Sequence, residues 1–109
     1  MPDISQCGGL SECRKIANMA ESYYIPFAPH NHSSALSTVG DAHVCASVPH
    51  FLALEFHRFH DKTWNDVIDS DEPVIQDGHV ALTEKPGLGV ELNEDFLQSM
   101  MDGGEPLWQ

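Results

Sequence analysis

The sequence predicts an α/β fold in which helices alternate with the parallel strands of one sheet. Helical periodicity and short apolar runs alternate with short connections over residues 10–56, and the last run, FLALEF at 51–56, is apolar except for one acid. This alternation is typical of βαβ units, whose right-handed crossovers place the C-terminal ends of all strands on one side of the sheet. We therefore expect polar side chains at the strand ends to lie close together.

The predicted elements follow from residue spacing. After Gly8-Gly9, apolar residues recur at steps of three and four, which predicts a helix of about 14 residues. IPFA, at 25–28, is a short apolar strand that stops at Pro29-His30. Residues 34–48 predict a second helix, closed by a proline. FLALEF then has the pattern of a strand that is buried on both faces.

Residues 61–109 differ from residues 1–60 and are predicted to form a C-terminal extension. The segments PVIQ and HVALT flank Asp77-Gly78, which predicts a β-hairpin with a tight turn. A short helix is expected over residues 94–101. The final segment, DGGEPLWQ, is expected to be loosely ordered.

Composition limits the classes of partner. The chain has 109 residues, the length of one domain, and it lacks the apolar run of about 18–20 residues that a membrane span requires. Its first ten residues have neither the basic region nor the apolar core of a signal peptide, which favours a cytoplasmic location. A net charge of −12 repels phosphate groups and argues against a nucleic-acid partner. The same acidity is also compatible with a surface property unrelated to mechanism.

The three cysteines are Cys7, Cys13 and Cys45, and no two of them form a CxxC motif. An odd count without paired spacing argues against a disulfide framework and against a structural zinc site. We predict reduced thiols that behave as small buried hydrophobes. Of the three, only Cys7, just after a predicted strand end, is a candidate for another role.

Three polar residues occupy successive predicted strand ends: Asp3, His30 and Glu55, separated by 27 and 25 residues. These separations equal about one βα unit, so in a (β/α)₈ barrel the three side chains would converge at one mouth. A carboxylate beside a histidine fixes the imidazole tautomer and raises its basicity, which suits proton transfer. The alternatives are a histidine that closes a loop and an aspartate that caps a helix or loop.

Two histidine pairs have spacings that a metal site could use. His30 and His32 are two residues apart, and His57 and His60 are three apart, but neither pair has an evident third ligand. We therefore predict no metal ligand within the chain. His32 is interpreted as a neighbour of His30 or, at most, as a substrate contact.

The segment PDISQCGGLSECRKIANMAESYYIPFAPHN resembles the mandelate racemase branch of the enolase superfamily, from the end of the sixth barrel strand through the end of the seventh. The resemblance extends over residues 1–98 and includes the later PGLGVEL stretch. It implies the C-terminal part of a (β/α)₈ TIM-type barrel, from the end of strand 6 to strand 8. It also implies that the C-terminal extension returns toward a capping domain, and that the chain is a piece of a longer enzyme, inactive alone.

The resemblance also implies roles for individual residues. Asp3 matches the sixth-strand acid of a His-Asp dyad, His30 the seventh-strand base, and Glu55 the eighth-strand acid that contacts substrate. Asn31 and His32 are the expected substrate contacts. Enolase-superfamily enzymes use a Lys or His base beside Mg²⁺, and the ligands of that ion are expected outside this chain.

The segments APHN and HVCASVPHFLALEFH are similar to the corresponding sequences of sugar-acid dehydratases of the galactonate type. This similarity implies a carbon–oxygen lyase that removes the proton α to a carboxylate and eliminates the β-hydroxyl, giving a 2-keto-3-deoxy acid. A racemase, epimerase or cycloisomerase with the same first step is the alternative, as is a non-catalytic remnant. The partner is then a small sugar acid, and the full-length protein is expected to be a homo-oligomer.

Overall fold

A computed structural model describes residues 1–57, 63–70 and 72–101 of the chain. The helices are α1 (Ile4–Cys7), α2 (Leu10–Ser22), α3 (Ala35–Ala46), a 3-10 turn (Asn65–Val67) and α4 (Glu94–Ser99). The strands are β1 (Ile68–Asp69), β2 (Ile75–Gln76), β3 (His79–Val80) and β4 (Glu91–Leu92). Strand β1 pairs with β4, and β2 with β3, both antiparallel. Among the described helices, none is both long and apolar enough to cross a membrane.

The predicted long helices, the hairpin and the last helix are confirmed as α2, α3, the β2–β3 pair and α4. The hairpin turns where predicted, with φ of 49° at Asp77 and 76° at Gly78. Positive φ at both central residues is the geometry of a type I′ turn, which matches the twist of the strands. The segment DGGEPLWQ lies outside the described residues.

Helix α1 is an element that residue spacing does not predict. Asp3 begins it as the N-cap, accepting a hydrogen bond from the Ser5 N–H at 2.8 Å. Gly8 ends it with a φ of 108°, a left-handed conformation that a side chain would strain. The helix thus fixes the position of Asp3 at its first turn.

The predicted parallel arrangement is confirmed, although the two apolar runs pair at only one bridge. Phe27 and Phe51 form that bridge, and the Leu52 N–H donates to the Phe27 carbonyl at 2.8 Å. Farther along, the Glu55 N–H donates to the Pro29 carbonyl at 3.3 Å. The IPFA and FLALEF runs therefore lie side by side, are parallel, and end at the same edge.

The prediction that FLALEF is buried on both faces is wrong for this chain. Phe51 is 42% exposed and Leu52 is 69% exposed, and Ile25 on the neighbouring run is 55% exposed. The helices cover only part of this pair of runs, where Phe27 and Leu54 pack into the core. The described residues therefore cover only one portion of this apolar run.

The first core lies between helices α2 and α3 and the Phe27 run. Its buried members are Cys13, Ala17, Phe27, Val44, Cys45 and Val48. All three cysteines are free thiols, as predicted. Burial raises the pKa of Cys13 and of Cys45 to about 12, so both stay protonated and act as small apolar side chains. Cys7, at the end of α1, is only partly buried.

A second core joins the C-terminal part of the chain to helix α3. Ala35 of α3 packs with Trp64 and Ile68, and the Trp64 indole N–H donates to the Ser33 carbonyl at 3.3 Å. A separate contact joins His43 of α3 to the Leu88 carbonyl at 3.1 Å. The extension therefore packs against the same helix that supports the end of the Phe27 run.

Replacing Ser34 by Ala is expected to lower the free energy of unfolding by about 1 kcal/mol. Ser34 is the N-cap of α3, and its hydroxyl oxygen accepts a hydrogen bond from the Ser37 N–H at 3.3 Å. Urea unfolding curves of both proteins measure the change. The control is Ser11→Ala, at an exposed position of α2 that does not cap the helix. Equal stability of wild type and Ser34→Ala would contradict the capping role.

Candidate active site

Three neighbouring segments bring the predicted strand-end residues together. The His30 N–H donates to the Pro2 carbonyl at 2.9 Å, and the Glu55 N–H donates to the Pro29 carbonyl at 3.3 Å. These backbone contacts place the end of the Phe27 run between the start of the chain and the end of FLALEF. The side chains of Asp3, His30 and Glu55 consequently meet at one edge, as their spacing predicts.

Asp3 and His30 form a hydrogen-bonded dyad. The Nδ1 of His30 lies 2.8 Å from Oδ2 of Asp3, and the other Asp3 oxygen accepts from the Ser5 N–H. Burial acts to raise the pKa of Asp3, but the hydrogen bonds from His30 and Ser5 outweigh it and hold that pKa below its usual value. An ionised Asp3 accepts the Nδ1–H of His30, which leaves the Nε2 lone pair free to take a proton.

Glu55 offers one carboxylate oxygen to this Nε2 and the other to His57. Its Oε1 lies 2.7 Å from Nε2 of His57, while its Oε2 lies 3.8 Å from Nε2 of His30. That second oxygen is buried and has no hydrogen-bond partner among the described residues. A buried, unpaired carboxylate oxygen beside a free imidazole nitrogen is typical of a place that a ligand fills.

His57 is a site residue that sequence reasoning missed. The rings of His30, His32 and His57 lie close together. The ring centroid of His30 is 6.3 Å from that of His32 and 6.1 Å from that of His57, and the centroids of His32 and His57 are 5.7 Å apart. The available signal was the spacing of Glu55 and His57, because residues two apart in extended chain point to the same side. The i, i+3 spacing of His57 and His60 was considered and not adopted as a metal site, and His60 lies outside the described residues.

Asn31 lies against helix α3. It is 2% exposed, and its amide nitrogen donates to the hydroxyl oxygen of Thr38 at 2.7 Å. Asn31 and Glu55 also line a cavity of about 570 Å³ between α3, the FLALEF run and the hairpin. The contact with Thr38 fixes the loop after His30, and the substrate role of Asn31 stays a prediction, as does that of the exposed His32.

Asp41 is a second residue that sequence reasoning missed. It is fully buried in α3, and neither carboxylate oxygen has a hydrogen-bond partner among the described residues. Burial raises its pKa to about 7, the charge of Asp3 adds to the rise, and His30 opposes it. The signal was its spacing from Thr38 and Cys45, three before and four after, which places an acid on the buried face of the helix.

The donors present do not fit the Mg²⁺ that the family resemblance implies. Magnesium is held by oxygen ligands in near-octahedral geometry. The one group of at least three donor side chains that the described residues bring together consists of His30, Glu55 and His57, two imidazoles and a single carboxylate. Both carboxylate oxygens of Asp3 already form hydrogen bonds, one with His30 and the other with the Ser5 N–H. Asp41 is fully buried.

Comparisons with known proteins identify similar sequences and similar folds. Residues 1–96 match the family model described as enolase C-terminal domain-like. A solved structure of a mandelate racemase/muconate lactonizing enzyme-like protein from Rubrobacter xylanophilus superposes with a TM-score of 0.84 at 54% identity. The superposition covers 88% of this chain and 24% of that one. These likenesses confirm the predicted fold class, a part of an α/β barrel of the TIM type.

Curated relatives include two sugar-acid enzymes. The D-xylonate dehydratase of Haloferax volcanii is 45% identical over 107 residues, which are 98% of this chain and 26% of the relative. The D-galactonate dehydratase of Xanthomonas campestris is 36% identical over 118 residues, covering 99% of this chain and 31% of the relative. The chain therefore spans between a quarter and a third of the length of these two relatives.

Proposed function

Because the chain belongs to the enolase C-terminal domain-like family, we propose that it is the C-terminal, acid/base part of a sugar-acid dehydratase. The observation that carries this proposal is the Asp3–His30 hydrogen bond of 2.8 Å, which leaves the other imidazole nitrogen facing Glu55. The dehydratase relatives support the reaction class. The isolated chain is expected to turn over no substrate, because it spans only a minor part of their length.

In this proposal His30 is the base. Its Nε2 takes the proton α to the substrate carboxylate, and the resulting imidazolium is stabilised by the adjacent Asp3 carboxylate. The protonated His30 is then able to return that proton to the departing β-hydroxyl, which leaves as water. The enol that remains becomes the 2-keto-3-deoxy acid.

Glu55 is proposed to bind the substrate beside His30. Its Oε2 is 3.8 Å from the imidazole nitrogen and has no hydrogen-bond partner among the described residues. A polyhydroxy acid has several hydroxyl groups that can satisfy such an oxygen, and leaving it unsatisfied carries a desolvation cost of about 1–3 kcal/mol. Substrate bound there would therefore lie within reach of Nε2 of His30.

The remaining parts of the enzyme are proposed to lie outside this chain. They include the Mg²⁺ ligands, since the described residues do not supply the oxygen set that this ion requires. Residues 1–60 are proposed as the barrel part and residues 61–109 as the extension that returns toward a capping domain. Trp64 and Ile68 pack on α3, which holds this part of the extension against the barrel part.

A chimera tests the proposal. The segment of the Haloferax volcanii D-xylonate dehydratase that aligns with this chain is replaced by the chain itself. The chimera is expected to convert D-xylonate to a keto acid, detected as its semicarbazone. His30→Asn in the chimera is expected to lower kcat by roughly 10²–10⁴-fold, the usual contribution of a general acid/base.

The control is the chimera carrying Asp69→Asn, at an exposed position of β1 that does not line the cavity of Asn31 and Glu55. It is expected to keep its activity and its melting temperature. A folded chimera without activity, or full activity in the His30→Asn chimera, would overturn the proposal. A product of unchanged mass would instead assign the chain to an isomerising enzyme of the same superfamily.

A further inference from the structure

The histidine cluster beside the dyad contains the donor set of a transition-metal site. One ligand atom each from His30, Glu55 and His57 lies within 4.8 Å of the other two. The side chains of His30, Glu55 and His57 are partly exposed, at 41%, 28% and 47%, so the cluster is open to solvent. A tetrahedral zinc site requires N and O ligands about 2.0–2.2 Å from the ion, which a small contraction of this cluster provides.

The surroundings of these donors match those of metal-binding residues. Histidine ligands almost always donate their second ring N–H to a carboxylate or carbonyl, which fixes the tautomer and strengthens the ligating nitrogen. Asp3 does this for His30, through the 2.8 Å contact at Nδ1. The Oε2 of Glu55 is buried without a partner among the described residues, on the side that faces His30. The site thus has an oriented nitrogen donor and an unsatisfied oxygen donor.

The donor types select the class of ion. Two imidazoles and one carboxylate suit Zn²⁺, Co²⁺ or Ni²⁺, whereas Mg²⁺ prefers oxygen ligands and keeps its water shell. Three protein ligands also leave the fourth tetrahedral position open to water or another ligand. The acidic chain, with a net charge of −12, favours the local accumulation of cations.

We propose that His30, Glu55 and His57 form a binding site for a zinc-like divalent cation, separate from any Mg²⁺ site of the full enzyme. Binding uses the Nε2 lone pair of His30, one carboxylate oxygen of Glu55 and a ring nitrogen of His57. The neutral His57 imidazole then holds its proton on the other ring nitrogen. The consequence for catalysis rests on the proposed function. A bound ion occupies the Nε2 lone pair of His30 that would accept the substrate proton, so zinc binding inhibits the dehydration.

Calorimetric titration of the 109-residue chain with ZnCl₂ tests the site. One zinc ion per chain is expected, and MgCl₂ is expected neither to bind there nor to compete. His57→Ala is expected to weaken zinc binding at least roughly tenfold, and Asp3→Asn by roughly 10- to 100-fold through loss of the carboxylate behind His30. Circular dichroism confirms that each variant keeps its helix content.

Two matched controls separate this site from adventitious binding. His79→Ala removes an exposed histidine outside the cluster, and Cys7→Ser removes the most accessible thiol. Both are expected to leave zinc affinity unchanged. Equal affinity in wild type and His57→Ala, or loss of binding in Cys7→Ser, would overturn the proposal. If His57→Ala alters the helix content of the chain, the same comparison is made in the chimera.

The two proposals fail separately. A chimera that dehydrates D-xylonate but binds zinc equally well with and without His57 overturns only the zinc site. A chain that binds zinc through His57 while the folded chimera lacks dehydratase activity overturns only the proposed function.

Discussion

Replacing Asp3 by Asn in the dehydratase chimera is expected to lower kcat by roughly 10²–10⁴-fold while KM changes little. The Asp3 carboxylate accepts the Nδ1–H of His30 at 2.8 Å, and its charge stabilises the imidazolium that forms when Nε2 takes a proton. An asparagine has no charge, and its NH₂ group is able to donate to Nδ1. That contact favours the tautomer with the proton already on Nε2, which cannot act as a base.

Asn is the appropriate substitution because it preserves the structural role of Asp3. The Asp3 side chain also caps α1 by accepting the Ser5 N–H at 2.8 Å, and asparagine caps helices as well as aspartate does. The melting temperature is therefore expected to change little. Asp69→Asn, at an exposed position of β1, serves as the control and should retain full activity. Normal turnover in a folded Asp3→Asn chimera would show that Asp3 serves only as a cap.

The convergence of Asp3, His30 and Glu55 was predictable because it depends on chain topology. Successive strands in a parallel sheet end on the same side, so residues one βα unit apart meet whatever the sequence between them. The hairpin was predictable for a similarly local reason, since Asp77-Gly78 accepts the positive φ that a tight turn requires. Both features depend on backbone geometry that a short stretch of sequence specifies.

The surroundings of the site were less predictable. His57 joins the cluster through its position two residues after Glu55, but the side chain had to turn toward His30 rather than toward solvent, and spacing does not decide that. The exposure of Leu52 depends on which helices cover the FLALEF run, a tertiary property. Helix α1 is a single turn, too short for periodicity to reveal.

The chain is expected to lose stability as the pH rises from 5 to 8, because of Asp41. Its pKa is about 7 in the folded protein against an ordinary value of 3.8, so between these values the folded state holds a proton that the unfolded state releases. The stability is then fully present below the ordinary pKa and is lost as the pH rises to the folded one. The whole shift corresponds to a loss on the order of 4 kcal/mol, the larger part of it above pH 5. Urea unfolding midpoints at pH 5 and pH 8 measure it.

Asp41→Asn isolates this contribution, since asparagine has nearly the same shape and no charge at any pH. The variant is expected to be more stable than wild type at pH 8 and to show a much smaller change between pH 5 and pH 8. The other groups with shifted pKa values titrate outside the range from pH 5 to pH 8. The lowered pKa of Asp3 affects stability below pH 4, and the raised pKa values of Cys13 and Cys45 affect it only at alkaline pH. Asp69→Asn should keep the wild-type dependence. If Asp41→Asn loses as much stability as wild type between pH 5 and pH 8, the Asp41 carboxyl is not the source of the pH dependence.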